Sequence, residues 1–247
     1  MTEKREAGIA SAVAVLLLLA VLLVCAGVWT AAVLPAEQHR EAEKEAAEAQ
    51  VILTDTVFSL RKTAESGLAG VSISLAFPKG TLTTEDVGYL AVNGTNRIYL
   101  QTLSHETGMI TQGICAGGVW RRDGEDAAWI LLPKTMYRNG VLSLELPTLI
   151  GETAQGSSSL IPVSFCYEGT HTKTFSGTVS LTVATEEQWM QDLWHTYFTE
   201  TAYQYADVVD VTISSSEHQI TAGFTAKAGD RVLQVKESVH AVSGGQR

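Results

Sequence analysis

Residues 29–46, WTAAVLPAEQHREAEKEA, change from a lipid-like to a water-like composition within a few positions. The 28 residues before Pro35 carry no charge, whereas charged side chains occupy almost every second position after it. Pro35 joins the two parts without a loop, and it either begins a second helix or kinks one long helix. Both arrangements predict a rod-like segment that leaves an apolar medium and continues into water.

The uncharged run, residues 7–34, reads AGIASAVAVLLLLAVLLVCAGVWTAAVL. A helix rises about 1.5 Å per residue, so this run is long enough to cross a hydrocarbon core of about 30 Å. A cleaved secretory signal has an apolar core of only about 7–15 residues, although the small residues at 30–32 would suit signal peptidase. Val24 before Cys25 argues against a lipoprotein signal. The length therefore predicts a retained transmembrane helix, with Trp29 near the membrane–water interface.

The orientation of this span is predicted from the domain that follows it, because the flanking charges do not decide it. Two basic residues lie close to each end of the run, so the positive-inside rule gives a near tie. The C-terminal part carries an N-x-T sequon at Asn93, a possible glycosylation site, and two of its strand-like segments contain cysteine. Both features are compatible with export. We therefore expect residues 1–6 as a cytoplasmic tail of a single-pass cell-membrane protein, with the C-terminal domain outside the cytoplasm.

The start of the apolar run is rich in small side chains. Gly8 and Ala12 have small-xxx-small spacing, and so do Ala10 and Ala14. Such spacing lets helix backbones approach closely in lipid, where no hydrophobic force drives association. It predicts helix–helix packing in the membrane at Gly8 and Ala12, although a span also tolerates small residues without any partner.

Residues 35–66 predict an extracytoplasmic helix or stalk, because they are rich in Ala and Glu and end at Gly67, a natural helix C-cap. Leu53, Val57 and Leu60 recur at helical spacing in its second half. This stripe implies a face that packs against another surface. It predicts helix-to-head packing, and a coiled coil with a second copy is the alternative.

Residues 67–243 predict a β-rich domain. Val71, Ile73, Leu75 and Phe77 alternate with small residues, which is typical of a half-buried strand. Turn signals such as Asn-Gly and Asp-Gly separate further segments of this kind. Those further strands are predicted at 97–103, 109–115, 128–132, 141–146, 163–167, 174–183, 208–214, 219–226 and 231–242. Many short strands with regular turns favour an antiparallel sandwich or a strongly curled sheet.

One helix interrupts the predicted strands at about 186–204. Thr185 and Gln188 have capping-box spacing, and a wide aromatic face begins at Trp189. Packing on a sheet explains such a face, and a ligand groove could use it too. Residues 244–247 form a tail. The predicted fold is therefore mainly β, with a long N-terminal helix that includes the transmembrane helix, followed by an antiparallel β-sandwich-like head with one inserted helix.

Composition excludes several classes of function. The formal net charge is −10 and no basic run exceeds two residues, so nucleic-acid partners are not expected. The sequence contains no nucleophile elbow, P-loop, dinucleotide fingerprint or HExxH motif, so no catalytic residue is nominated and the chain is predicted not to be an enzyme.

The cysteines leave two readings open. Cys115 and Cys166 lie in strand-like segments, so a disulfide between them is plausible in an exported domain, and two separate buried thiols fit equally well. Cys25 lies in the apolar run, where a thiol behaves as a small hydrophobe. Neither CxxC nor a ligand-like His/Cys spacing occurs, so no metal or other cofactor is predicted.

The first 80 residues resemble the type IV pilin-like surface proteins, in particular pilin-like membrane proteins of archaea. The likeness lies in the order of parts and in three local stretches: Val33-Leu34-Pro35-Ala36-Glu37-Gln38, Leu60-Arg61 and Phe77-Pro78. The resemblance implies a cleavage just before the apolar helix, between Gly8 and Ile9. It also implies that the apolar helices of many copies pack together and that the heads coat the outside.

The resemblance predicts a membrane-anchored structural or adhesive protein of the cell surface, a pilin-like or pseudopilin-like component. Its partners would be the membrane and either further copies or other pilin-like subunits. A monomeric anchored module that binds an unknown extracellular ligand is the alternative, with residues 36–66 holding the head off the membrane. An anchored enzyme is the third and weakest hypothesis.

Overall fold

The computed structural model describes residues 3–157, 160–227, 229 and 231–244. The chain divides into two compact units, Met1–Lys44 and Glu45–Arg247. The first unit is helical, and the second, called the head below, holds the C-terminal part of a long helix and the described strands. The head thus begins at Glu45 and not at residue 67, the position at which the sequence pattern changes from helix to strand.

The N-terminal part is helical from its first described residue. Helix α1 covers Glu3–Val28, a π-helical turn covers Trp29–Val33, and helix α2 covers Leu34–Ser66. Among the described residues, one helical stretch beginning at Val15 contains an apolar window of mean hydropathy 2.6, none of which is buried. This helix is long and apolar enough to span a membrane, as the sequence predicts.

The π-helical turn lies directly before Pro35. The N–H of Leu34 donates to the carbonyl oxygen of Trp29, five residues back. Proline has no N–H, and its ring crowds the carbonyl four residues before it, so a regular α-helical turn here would lose a bond and clash. A single π turn absorbs such a disturbance within a helix. Pro35 therefore lies in the first turn of α2 without ending the helix.

The head consists of strands and one further helix. The elements are β1 (Ser72–Phe77), β2 (Gly80–Val92), β3 (Asn96–Thr107), β4 (Ile110–Cys115), β5 (Gly118–Asp123), β6 (Asp126–Leu131), β7 (Lys134–Arg138), β8 (Val141–Ile150), β9 (Ala154–Ser157), β10 (Ile161–Ser176), β11 (Val179–Ala184), α3 (Gln188–Gln204), β12 (Val209–Ser216), β13 (Gln219–Ala226) and β14 (Arg231–Gly244). The mainly β class with one inserted helix is confirmed.

Within the described residues the strands form two sheets. The first sheet has the order β1-β10-β14-β8-β7, and the second has the order β12-β13-β11-β2-β3-β4-β5-β6, with β9 paired to β2. All pairs joined by short turns are antiparallel, as predicted, but β14 runs parallel to β8. These two strands lie far apart in sequence, so no tight turn dictates their relative direction.

The largest core lies between the two sheets and is closed by α3. Helix α3 contributes Met190, Leu193, Trp194, Tyr197 and Phe198, which are at most 2% exposed. The indole N–H of Trp129 on β6 donates to the carbonyl of Leu193 at 2.6 Å, which ties α3 to the second sheet. The aromatic face of α3 therefore packs into the core of the head.

A second core lies under α2. Leu53, Val57 and Leu60 are fully buried. Their apolar neighbours come from both sheets, and include Phe77 on β1 and Leu103 on β3. The C-terminal half of α2 is thus a structural element of the head, which explains why the compact unit begins at Glu45.

Truncating the stripe on α2 should destabilise the head. Leu53→Ala leaves a cavity in the second core, and we expect a loss of about 2–5 kcal/mol in the free energy of unfolding. Val51→Ala is the matched control, because Val51 is 62% exposed on the same helix and should cost less than about 0.5 kcal/mol. Denaturant unfolding of the full chain in detergent micelles, followed by tryptophan fluorescence, measures both. Equal losses for the two variants would contradict this packing.

Candidate functional site

The helix-to-head interface is defined here as the face of α2 from Glu45 to Glu65 and the strands beneath it. Its N-terminal end is fixed by polar contacts as well as by apolar packing. The side-chain amide of the buried Gln112 donates to the carbonyl of Ala46 at 2.6 Å. Lys79 pairs with Glu45 at 2.6 Å. These contacts hold the helix at the point where it joins the head.

The C-terminal end of the interface is fixed by Arg61. Its Nη2 donates to the carbonyl of Gly117 at 2.7 Å and lies 3.4 Å from the carbonyl of Leu132. Burial lowers the pKa of Arg61, while nearby Glu145 and Glu65 oppose that effect. Because hydrogen bonds to a charged donor are the stronger kind, Arg61 clamps α2 onto the β4–β5 turn.

The β4–β5 turn, which accepts the hydrogen bond from Arg61, requires glycine. Gly117 has φ +73°, and a Cβ there would lie 2.5 Å from Cδ of Pro147. A side chain at this position would meet both backbone strain and a clash. Gly117 is therefore the residue that allows the β4–β5 turn to lie close to β8 while presenting its carbonyl to α2.

Lys134 on β7 completes the C-terminal end of the interface. Its Nζ lies 2.8 Å from Glu145 on β8 and 3.4 Å from Glu65 on α2. The ammonium group therefore bridges the helix and the first sheet. Such an ion pair adds little when solvated, but Glu145 is mostly buried, with 14% of its side chain exposed.

Removing the Arg61 guanidinium should loosen the C-terminal end of α2. Arg61→Met keeps most of the apolar stem and removes the donors to the Gly117 and Leu132 carbonyls, at an expected cost of about 1.5–3 kcal/mol in unfolding free energy. Lys62→Met is the matched control, because Lys62 is exposed on the next position of the same helix. If the two variants unfold at the same denaturant concentration, Arg61 is not a clamp.

The structure separates the residues that the sequence predicts as sites. Leu53, Val57 and Leu60 lie together in the second core. Asn93 lies at the exposed β2–β3 turn with φ +50°, and its Oδ1 accepts a hydrogen bond from the N–H of Ser180 at 2.9 Å. Glycosylation of Asn93 stays a prediction.

Gly8 and Ala12 belong to the backbone of α1, but their side-chain surroundings lie outside the described residues. The disulfide between Cys115 and Cys166 is not formed, since both are free thiols. Cys115 is buried in β4 of the second sheet and Cys166 lies on β10 of the first, so each packs separately; burial raises the pKa of the Cys115 thiol to about 12.

A polar groove crosses the head where β2 passes the start of α3, and it is called the β2–α3 groove below. Two cavities of about 410 and 290 Å³ adjoin there, and both are lined by Asp86, Val87 and Glu187. The other lining residues are Thr83, Glu85, Gly88, Tyr89, Ser104, Glu106, Thr111, Trp120, Arg122, Ala184, Thr185, Glu186, Trp189, His218 and Gln219. Carboxylates, hydroxyls and aromatic rings therefore meet in one concave surface.

One end of the β2–α3 groove is built around Trp189 at the start of α3. Its ring lies 4.6 Å from the ring of buried Trp120, and the guanidinium of Arg122 lies 5.1 Å from its centre. Its indole N–H donates to Glu187 at 3.0 Å. These contacts fix the indole and leave the Glu187 carboxylate at the groove surface, since Glu187 is exposed.

The other half of the groove depends on a bulge in β2. The pairing register with β3 shifts between Asp86 and Gly88. Gly88 has φ +126°, and a Cβ there would overlap the carbonyl oxygen of Ala184, so the close approach of β2 to β11 requires glycine. The exposed Asp86 accepts a hydrogen bond from the side-chain amide of Gln101 at 3.1 Å. The bulge thereby places a carboxylate at the centre of the groove.

The groove suits a ligand with several hydroxyl or amino groups, because its carboxylates accept hydrogen bonds and its rings offer apolar edges. Among the described residues, no group of three or more His, Cys, Asp or Glu side chains is arranged to hold a metal ion. Sequence reasoning misses this groove because β2, β5, β13 and α3 all contribute to it. The aromatic face that begins at Trp189 is the sequence signal that points to its position. The capping box expected at Thr185 and Gln188 is not formed, since Glu187 is the N-cap residue of α3 and has no side-chain cap hydrogen bond.

A long apolar N-terminal helix and a two-sheet head closed by one helix define the architecture of this chain. A family model described as a family of unknown function (DUF7289) matches residues 8–241, and the chain therefore belongs to that family. No curated protein and no solved structure matches the chain.

Proposed function

We propose that the chain is a single-pass membrane protein whose head lies outside the cytoplasm and serves as a pilin-like or pseudopilin-like structural or adhesive component of the cell surface. The observation that carries this proposal is a difference in side-chain burial along the N-terminal helices. The stripe at Leu53, Val57 and Leu60 is fully buried in the head, whereas the apolar side chains of 15–28 are exposed. In a coiled-coil stalk, the stripe would instead pack against a second copy of the helix and not against the head.

The exposed apolar segment supports membrane insertion, and it is also the surface through which copies would pack. Its mean hydropathy of 2.6 suits lipid. In lipid, close approach of helices depends on small side chains. Cleavage after Gly8 removes that residue from the mature chain, so Ala12 would carry the packing together with Ala10 and Ala14, which keep the required spacing. The membrane and either further copies or other pilin-like subunits are the partners in this proposal.

The exposed sequon supports an extracytoplasmic position of the C-terminal domain, and the net charge bears on its partners. The chain has 27 acidic and 17 basic residues, so it offers little attraction to anionic lipid headgroups or to nucleic acid. The Asn93 sequon lies at an exposed turn, where a glycosyl transferase could reach it. Neither a cofactor nor a catalytic residue enters the proposal.

Processing and assembly test the pilin-like role. Sequencing the N-terminus of the membrane-extracted protein should show a chain that begins at Ile9, because a pilin-type peptidase cuts after the small residue before the apolar helix. Gly8→Leu should block that cut, and Ala12→Leu should leave the cut intact but prevent assembly by keeping the helices apart. Cross-linking in native membranes measures assembly.

Ala20→Leu is the matched control for both substitutions, since it adds the same side chain to the same span outside the small-xxx-small pattern. An intact Met1 in the mature protein, together with unchanged cross-linking of Ala12→Leu, would reject the pilin-like role. The chain would then be a monomeric protein held in the membrane by its N-terminal helix.

The second candidate function is a monomeric, membrane-anchored binding module, and the β2–α3 groove is the observation that favours it. Asp86 and Glu187 lie in both of its cavities and are the carboxylates that a ligand would meet wherever it lay. Their side chains accept hydrogen bonds from Gln101 and Trp189, so they are held in position before any ligand arrives.

Neutralising these two carboxylates tests the binding module. Asp86→Asn with Glu187→Gln keeps an oxygen acceptor at both positions and removes both charges. Liposomes carrying the full chain should lose adhesion to cells by roughly tenfold or more, because charge-assisted hydrogen bonds contribute about 1.5–3 kcal/mol each. Glu168→Gln with Asp207→Asn is the control, since both side chains are exposed outside the groove. Equal adhesion by the two double variants would show that the β2–α3 groove is not the ligand-binding site.

A further inference from the structure

His240 is buried beneath α2, on the β14 strand at the centre of the first sheet. It is fully buried, and its neighbours on the same face of the strand are Ser238 and Val242. Ser238 shares a crevice with Arg61 of α2, and Val242 belongs to the core that contains Leu53 of α2. Because alternate residues of a strand face the same way, His240 faces α2 as well.

Neither ring nitrogen of the His240 imidazole has a hydrogen-bond partner among the described residues. Its ring lies 5.4 Å from the ring of Tyr167 on β10, and its partner on β8 is Leu149. A neutral imidazole keeps one N–H unsatisfied in this position, and an imidazolium would keep two together with an uncompensated charge. Burial accordingly lowers the pKa of His240 from 6.5 to about 4.

His105 on β3 is the contrasting buried histidine of the head. Its Nε2 lies 3.2 Å from the carbonyl oxygen of Pro78, and its Nδ1 lies 3.3 Å from the hydroxyl of Thr107. Burial lowers the pKa of His105, but the hydrogen bonds to backbone carbonyls oppose that effect. A proton on His105 therefore has an acceptor nearby, whereas a proton on His240 has none.

The charged and titratable groups on the elements around His240 do not offer a counter-charge. Arg61 on α2 and Lys236 on β14 are cationic, and both line the crevice at Ser238. Glu145 on β8 lines the same crevice but is already paired with a lysine of β7 at 2.8 Å. Tyr167 on β10 is the titratable group in ring contact. His240 itself does not line that crevice, and burial is the cause of its lowered pKa, so among the described residues no carboxylate offsets a proton on its ring.

We propose that His240 is a proton-sensitive latch: the neutral ring lets the C-terminal half of α2 pack on the head, and protonation weakens that packing and raises the population in which residues 45–66 are released while the core between the two sheets stays folded. The released helix would expose His240 to water, which satisfies both ring nitrogens. This regulation acts at the helix-to-head interface, whichever of the two proposed functions the head performs.

The direction of the pH effect follows from the two protonation states. With α2 released, His240 titrates near its ordinary pKa of 6.5, and with α2 packed it titrates near 4. The released form therefore binds the proton more readily between these values. Packing of α2 is strongest above pH 6.5 and weakens progressively as the pH falls from 6.5 towards 4.

Hydrogen exchange of the full chain in detergent micelles measures this release, after correction for the intrinsic pH dependence of exchange. Between pH 7 and pH 4.5, protection of the amides of residues 46–66 should fall roughly tenfold or more, while the amides of α3 keep theirs. His240→Phe should abolish the selective loss, because it fills the site without a titrating group. His105→Gln, the matched control at the other buried histidine, should retain the loss.

Two results would overturn the latch. One is the same acid-induced loss of α2 protection in the His240→Phe chain. The other is a simultaneous loss of α2 and α3 protection in the wild-type chain. If His240→Phe does not fold, His240→Gln serves in its place, and NMR titration of the wild-type His240 Cε1–H gives an independent reading. A midpoint near 6.5 with α2 still protected would also reject the proposal, and a midpoint well below 6.5 would support it.

Discussion

Burial of one helical stripe against the two sheets is the interaction on which the second core of the head depends. Leu53, Val57 and Leu60 reach apolar side chains from both sheets, so α2 covers a surface that neither sheet covers for itself. A sheet with one apolar face must bury it against another element, and α2 is that element for the face opposite α3. The clamp at Arg61 and the amide of Gln112 then fix the position that apolar packing alone would leave free to slide.

The sequence predicts the regular elements well and the irregular ones poorly. The apolar helix appears because of its length and composition, and α2 and α3 appear because helical periodicity accumulates over many residues. Strand β2 is missed, since GTLTTEDVGYLAV carries acidic residues and the bulge at Gly88 breaks its alternation. The strand predicted at 174–183 is wrong as a single strand, because the chain turns at Gly177, where φ is +73°. The parallel pairing of β8 with β14 depends on contacts that no local pattern encodes.

The candidate sites show the same difference between features that a local sequence pattern reveals and features that only the fold brings together. The stripe on α2 is visible in the sequence because its spacing marks a packed face, although the surface that receives it is not. The β2–α3 groove is invisible, since Asp86 and Glu187 come from segments that only the folded head brings together. The two strand cysteines are a case that the sequence leaves open: both are free thiols, and only the fold shows that Cys115 lies in the second sheet and Cys166 in the first. Which strands are neighbours is the information that one sequence lacks.

The place of β14 in the first sheet has a consequence for how the head is made. This strand lies between β8 and β10, yet it is the last described strand of the chain. Until residues 231–244 have been synthesised, β8 and β10 have no common neighbour and the core under α2 lacks Val242. The first sheet of the nascent head therefore cannot be completed from its N-terminus onward, and it stays open until β14 has been synthesised. Such a delay leaves the facing edges of β8 and β10 unpaired, and an unpaired strand edge can pair with another chain.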